Sequence, residues 1–168
     1  MIESQDITID VATEETAPVL AGLLELYVEE LSGIFAIQPG ADGRFGYDRL
    51  PLYWSNPDTH FPFFIRVRGQ AVGFALVTRG SPATDDPRDL DLAEFFVLPS
   101  QRRAGLGRRG AFLLWNRLPG HWVVRVSEAN HGALRFWESA IREYAGSAVT
   151  VSAHQGRLHT FRVFAFGT

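Results

Sequence analysis

The chain has 168 residues, 46% hydrophobic and 21% charged, which suits a globular protein with a sizeable core rather than a disordered or fibrous one. A net charge of −3 gives no general attraction to nucleic acid or to an anionic membrane, and the absence of cysteine excludes disulfides and thiolate metal sites. All 16 basic residues are arginine, so no side-chain amine is available for self-acylation. ITIDV (7–11) alternates and predicts a first strand. Thr13 is placed to cap a helix with Glu14 and Glu15 in its first turn, where the helix dipole favours negative charge. Leu20, Leu23, Leu24, Tyr27 and Leu31 fall on one face of that helix. Residues 36–60 are rich in Gly, Pro, Asp and aromatics and predict a loop with a short helix near Tyr47–Trp54.

FPFFIRVR (61–68) and AVGFALVTR (71–79) predict a hairpin turning at Gly69-Gln70. Residues 80–89 form a turn. LDLAEFFVL (90–98) is apolar on both faces, as a central strand is. On period-2 spacing Glu94 shares a face there with Leu92 and Phe96. Leu106–Leu118 reads as a helix ended by Pro119-Gly120, and HWVVRVS (121–127) as a strand. Residues 131–144 carry Ala133, Trp137, Ala140 and Tyr144 at helical spacing. VTVSA (149–153) and LHTFRVFAF (158–166) close the chain as a hairpin around Gln155-Gly156. The order β-α-α-β-β-β-α-β-α-β-β predicts an α/β fold in one domain, 1–168, with a single mixed sheet of about six to seven strands flanked by helices. The acidic opening MIESQDITID lacks a signal-peptide core, and no apolar stretch approaches the roughly 20 residues that span a bilayer, so a cytoplasmic protein is expected.

QRRAGLGRR (101–109) follows the central strand and opens a helix. A helix start leaves about four backbone N–H groups without intrahelical partners, and the macrodipole adds roughly half a positive charge. Gly105 and Gly107 remove the Cβ atoms that would keep a ligand off the backbone, while Arg103 and Arg108 add full charges. Such a cradle suits a phosphate or pyrophosphate. The alternative is a glycine turn with a solvated arginine face. The stretch is neither a GxxxxGK[ST] loop, since the chain has no lysine, nor a full GxGxxG.

VLPSQRRAGLGRR resembles the acetyl-CoA-binding motif of the GNAT superfamily of N-acetyltransferases, in which [Q/R]-x-x-G-x-[G/A] opens a helix after a central strand. Arg102-Arg103-Ala104-Gly105-Leu106-Gly107 fits that pattern. A second family signature, an Asn followed by Ala and an aromatic pair, matches Asn130 to Trp137. The resemblance implies acetyl-CoA as co-substrate, with its pyrophosphate on the amides of Arg103, Ala104, Gly105, Leu106, Gly107 and Arg108. It implies backbone contacts to the pantetheine arm from Phe95, Phe96 and Val97, where strand 94–98 parts from strand 121–127, and an amide near Val97 polarising the thioester carbonyl. It implies Asn130 as a polar contact to that arm, whereas the residue alone also reads as a helix N-cap.

Transfer to an amine needs a base. Glu94, within an apolar strand, is the candidate catalytic residue, because partial burial raises a carboxyl pKa. The alternative is a structural Glu paired with an arginine. Arg125, five residues before Asn130 where some family members carry a base, cannot serve. Many family members have Tyr seven residues after the Asn as general acid; this chain has Trp137. Tyr144 lies seven helical residues further, roughly 10 Å along the axis. Ser127 and His131 are near in sequence, and solvent is the remaining proton source. Tyr47, Tyr53, Trp54 and His60 can wall an acceptor pocket or anchor a loop over the core, and the mixed charge of 39–61 favours neither a cationic nor an anionic acceptor. The histidines show no metal-ligand spacing, so no metal is expected. The expected partners are acetyl-CoA and an amine of a small molecule or peptide, without nucleic acid or membrane, and the apolar last strand could pair across a homodimer. The alternatives are a non-catalytic acetyl-CoA sensor and an interaction protein whose basic loop docks an acidic partner.

Overall fold

A computed structural model describes residues 6–168. The strands β1 (Ile7–Val11), β2 (His60–Val67), β3 (Gln70–Arg79), β4 (Leu90–Val97), β5 (His121–Ser127), β6 (Thr150–Gln155) and β7 (Thr160–Gly167) form one sheet in the order β1-β2-β3-β4-β5-β7-β6. All neighbours are antiparallel except β4 and β5, which are parallel. The helices are α1 (Ala17–Ser32), α2 (Leu52–Ser55), α3 (Leu106–Arg117) and α4 (His131–Ala145). The predicted element order is the observed one. No helix among the described residues is long and apolar enough to cross a membrane.

Side-chain alternation sorts the core into two layers. Phe64 of β2, Phe74 and Leu76 of β3 and Phe96 of β4 pack with Leu20, Leu23 and Leu24 of α1 and with Tyr53 of α2. Phe63 and Ile65, Ala75 and Val77, and Leu90 and Leu92 face the other way, onto Leu114 and Trp115 of α3 and Trp137 and Ile141 of α4.

Several boundaries differ from the sequence expectations for local physical reasons. A helix begun at Glu14 would need an N–H from Pro18 one turn later, which proline lacks. The chain instead makes a 3-10 turn over Glu14–Thr16 and starts α1 at Ala17, with Pro18 in the first turn. The β2–β3 turn lies one residue earlier than expected, at Arg68 and Gly69, because Val67 pairs with Gln70. Both turn residues have positive φ (49° and 82°), as a type I′ hairpin requires. The last strand cannot pair across a dimer, since β5 and β6 occupy both of its edges.

Strand β4 departs most from regularity. Leu76 pairs with Glu94 while Val77 pairs with Leu92, leaving Ala93 as a bulge. The extra residue flips the pleat. Leu90 and Leu92 face α3 and α4, whereas Phe96 faces α1. Glu94 therefore shares a face with Phe96 but not with Leu92. Near the same point the parallel ladder to β5 stops: it holds only Leu90 with Trp122 and Asp91 with Val123.

Candidate active site

A cleft of about 860 Å³ occupies the opening beyond that last rung. Its walls include Glu94 to Val97 of β4, Val124 to Ser127 of β5, Asn130 and Phe136 at α4, and Tyr27 of α1. Alternation sets how the β4 backbone faces it. The Leu98 N–H donates to the Val72 carbonyl on the β3 side at 2.8 Å. The preceding amide, Val97, is thereby directed to the β5 side, where no strand partner exists. Phe95 points to the α4 layer, with its ring centroid 4.9 Å from that of Trp137. Phe96 packs with Tyr27 and Phe74 on the opposite face.

Glu94 lies half-buried in the cleft wall. The Tyr27 hydroxyl donates to its Oε2 at 2.5 Å and the Tyr47 hydroxyl to its Oε1 at 3.1 Å. Burial raises its pKa above the usual carboxylate range; the two phenol hydrogen bonds, Arg125 and Arg49 pull it back without cancelling the burial. Burial, followed by the Glu94 charge, pushes the Tyr27 and Tyr47 phenols well above their ordinary value, so both remain protonated donors. The expected alternative, an arginine pairing with Glu94, does not occur. The nearest candidate, Arg125, makes a two-point ion pair with Asp91 at 2.8 Å for each bond, and Asp91 also accepts from the Ser81 hydroxyl. The bulge makes this division possible by putting Asp91 and Glu94 on one face at a spacing of three.

The loop 33–51 is held over the cleft by α1. The Glu25 carboxylate accepts from the backbone N–H groups of Phe45 and Gly46, at 2.6 and 2.9 Å, and these bonds lower its pKa. Tyr47, Tyr53, Arg49 and His60 all line the cleft, while Trp54 does not. At the far end the Phe35 ring packs at a tilt against His159, ring centroids 4.8 Å apart, joining this loop to the β6–β7 turn. Neither contact is visible as a sequence pattern. Tyr27 is likewise legible only as a helix-face apolar residue.

The glycine-arginine stretch has more structure than a loop. Pro99–Ala104 form a 3-10 turn, and Gly105 follows at φ 72°, where an added Cβ would meet only the Arg108 guanidinium, at 3.8 Å. Arg103 and Ala104 are exposed, and Leu106, the first residue of α3, is fully buried. Gly107 serves helix packing instead, since an added Cβ would press on the Phe136 ring at 3.2 Å. Arg102 donates to the Val97 carbonyl at 2.8 Å and to Glu30 of α1, and Arg108 pairs with Glu143 at 2.8 Å. The full charge expected of Arg108 is thus paired with Glu143, whereas Arg103 makes no ion pair among the described residues. The cleft walls include Arg102 but not residues 103–108.

Asn130 caps α4, its side-chain oxygen accepting from the Ala133 N–H at 3.2 Å. Trp137 is only 8% exposed, packed between Phe95, Phe136 and Trp115 with one edge on the cleft. Tyr144 donates to Asn116 on α3 and is not among the cleft residues. Ser127 is buried and His131 exposed. Among the described residues no group of three His, Asp or Glu side chains is placed to hold a metal ion.

Residues 20–140 match the model of the acetyltransferase (GNAT) family. The chain belongs to that family. No curated protein matches it in sequence. Among solved structures, this GNAT chain resembles an acetyltransferase from Thermus thermophilus at 15% identity and a TM-score of 0.68, covering 96% of this chain and 97% of that one. It resembles AAC(6')-Ib, in complex with ribostamycin and coenzyme A, at 15% identity and a TM-score of 0.70, covering 96% and 93%. The ribosomal-protein-S18-alanine N-acetyltransferase from Escherichia coli matches at 14% identity and a TM-score of 0.62, again covering 96% and 93%. At these identities the likeness is one of fold.

Proposed function

We propose that the chain is an N-acetyltransferase moving the acetyl group of acetyl-CoA to an amine of a small molecule or peptide, with residues 1–168 as one acetyl-CoA-binding domain. The single observation carrying this reading is the opening between β4 and β5, which leaves the Val97 amide without a strand partner beside Glu94. A pantetheine arm, extended and rich in amides, can add to the Phe95–Val97 edge as a strand would. Its pyrophosphate would rest on the backbone of Arg103, Ala104, Gly105, Leu106, Gly107 and Arg108, where Gly105, at positive φ and without a Cβ, allows close approach. AAC(6')-Ib was solved with coenzyme A and with acetyl-CoA, which supports this ligand for the fold.

An aliphatic amine, with a pKa of about 10.4, is mostly protonated at neutral pH. Glu94, its pKa raised toward the working range, takes that proton. The amine nitrogen then bonds to the thioester carbonyl carbon while the Val97 N–H steadies the oxyanion. The carbon–sulfur bond breaks, the nitrogen gives up its surplus proton to water to leave the neutral amide, and the thiolate takes a proton from water. Trp137, whose indole N–H is no practical acid, favours one second reading, a sensor that binds acetyl-CoA without turnover.

Calorimetric titration with acetyl-CoA and desulfo-CoA tests both readings, which require saturable binding. Gly105→Glu would put a carboxylate in the phosphate site and should abolish binding while the far-UV circular dichroism is retained. Unchanged affinity in that variant sinks both readings. Thiol release with an amine library separates the transferase from the sensor.

A further inference from the structure

The charges around the cleft are already divided among partners, and the remainder describes an acceptor. Glu30 is held by Arg102 and Arg125 by Asp91. Burial holds the His60 imidazole below its ordinary pKa, so it adds no charge at neutral pH. Two charged groups remain. Glu94 accepts hydrogen bonds only from phenols, with Arg125 and Arg49 acting on it through space, and Arg49, exposed on the cleft wall, makes no ion pair among the described residues. Much of the remaining wall is apolar or aromatic: Leu31, Phe35, Ile37, Leu52, Tyr53 and Phe161.

We infer that the acceptor is a small zwitterionic amine, one amino group and one acidic group on an apolar or aromatic body, with Arg49 receiving the acid and Glu94 the amine. The inference rests on the transferase reading for the identity of the reacting group. A guanidinium binds a carboxylate through two parallel hydrogen bonds, which fixes orientation as well as charge. A polycation meets a poor host here, because a second ammonium finds no unpaired carboxylate among the described cleft residues and faces Arg49 instead.

The test compares L-phenylalanine, its decarboxylated analogue phenethylamine, spermidine and kanamycin as acceptors by thiol release. Phenylalanine should exceed phenethylamine in kcat/KM by about tenfold or more, the scale of one charge-assisted contact, with both polycations lower still. In R49Q the phenylalanine-to-phenethylamine ratio should collapse toward one, with the loss in KM. Preference for spermidine or kanamycin, or an unchanged ratio in R49Q, overturns the inference. Direct titration of phenylalanine into the desulfo-CoA complex covers the case in which no amine is acetylated. Saturable binding weakened about tenfold by R49Q then upholds the pocket while the transferase reading falls, and no binding removes the pocket as well.

Discussion

Glu94 owes its properties to its neighbours rather than to its strand. Two neutral donors hold it, with no cation bonded to it, so it keeps a raised pKa and a defined orientation. Glu94→Gln should lower kcat by about 10²–10⁴ and abolish the rise of rate with pH through the raised carboxyl pKa, with little change in acetyl-CoA affinity. Wild-type turnover would remove Glu94 from the chemistry. The same shift bears on stability. The folded state binds its proton more tightly than the unfolded chain does, so the Glu94 contribution favours folding least once pH has risen past the folded pKa. Stability should fall from the ordinary glutamate value of 4.5 upward and then level off. The glutamine variant should lack that part of the slope in urea denaturation across pH. The type and place of Glu94 were legible in the sequence. Its two phenol donors were not, because Tyr27 and Tyr47 lie 67 and 47 residues away.

At the scale of elements, the fork in the sheet depends on irregularities in β3 and β4. Gly73 stands opposite Val97, and a Cβ there would overlap the Phe96 carbonyl oxygen. Backbone cannot yield as a flexible side chain does. Gly73→Ala should therefore displace the end of β4 and cost about 1–3 kcal/mol in urea denaturation, the usual toll of overpacking. It should also weaken acetyl-CoA binding, because the displaced segment carries the Val97 amide. Native stability and affinity in that variant would mean that β4 has more slack than its register implies. Period-2 reading missed this region for an identifiable reason. A bulge inserts one residue without any change in composition, so LDLAEFFVL looks regular while its two halves face opposite ways.

Across the whole molecule, two antiparallel blocks, β1–β4 and β5–β7, meet along only two registered pairs. Asp91 and Arg125 bridge that seam beside its last rung, the carboxylate fully buried and the guanidinium mostly so. Burial opposes the Arg125 charge, but Asp91 outweighs it and raises the pKa further. Asp91→Asn would strand a buried cation and should cost about 3–5 kcal/mol, read as a lower urea midpoint. A loss below about 1 kcal/mol, the range of an exposed pair, would show that water reaches the seam.

Hydrophobic periodicity, turn residues and two short motifs determined the order of elements, the α/β class and the family. These depend on local spacing, which a chain carries with it. The partition of charges was decided only by tertiary structure. Arg108 met Glu143, Arg102 met Glu30, and Arg125 met Asp91 across distances of 34 to 72 residues. Those pairings, with Glu94 and Arg49 left over, arise from how strands are registered and helices laid across them. No local pattern records which arginine reaches which carboxylate, because each is within reach only after the core has closed.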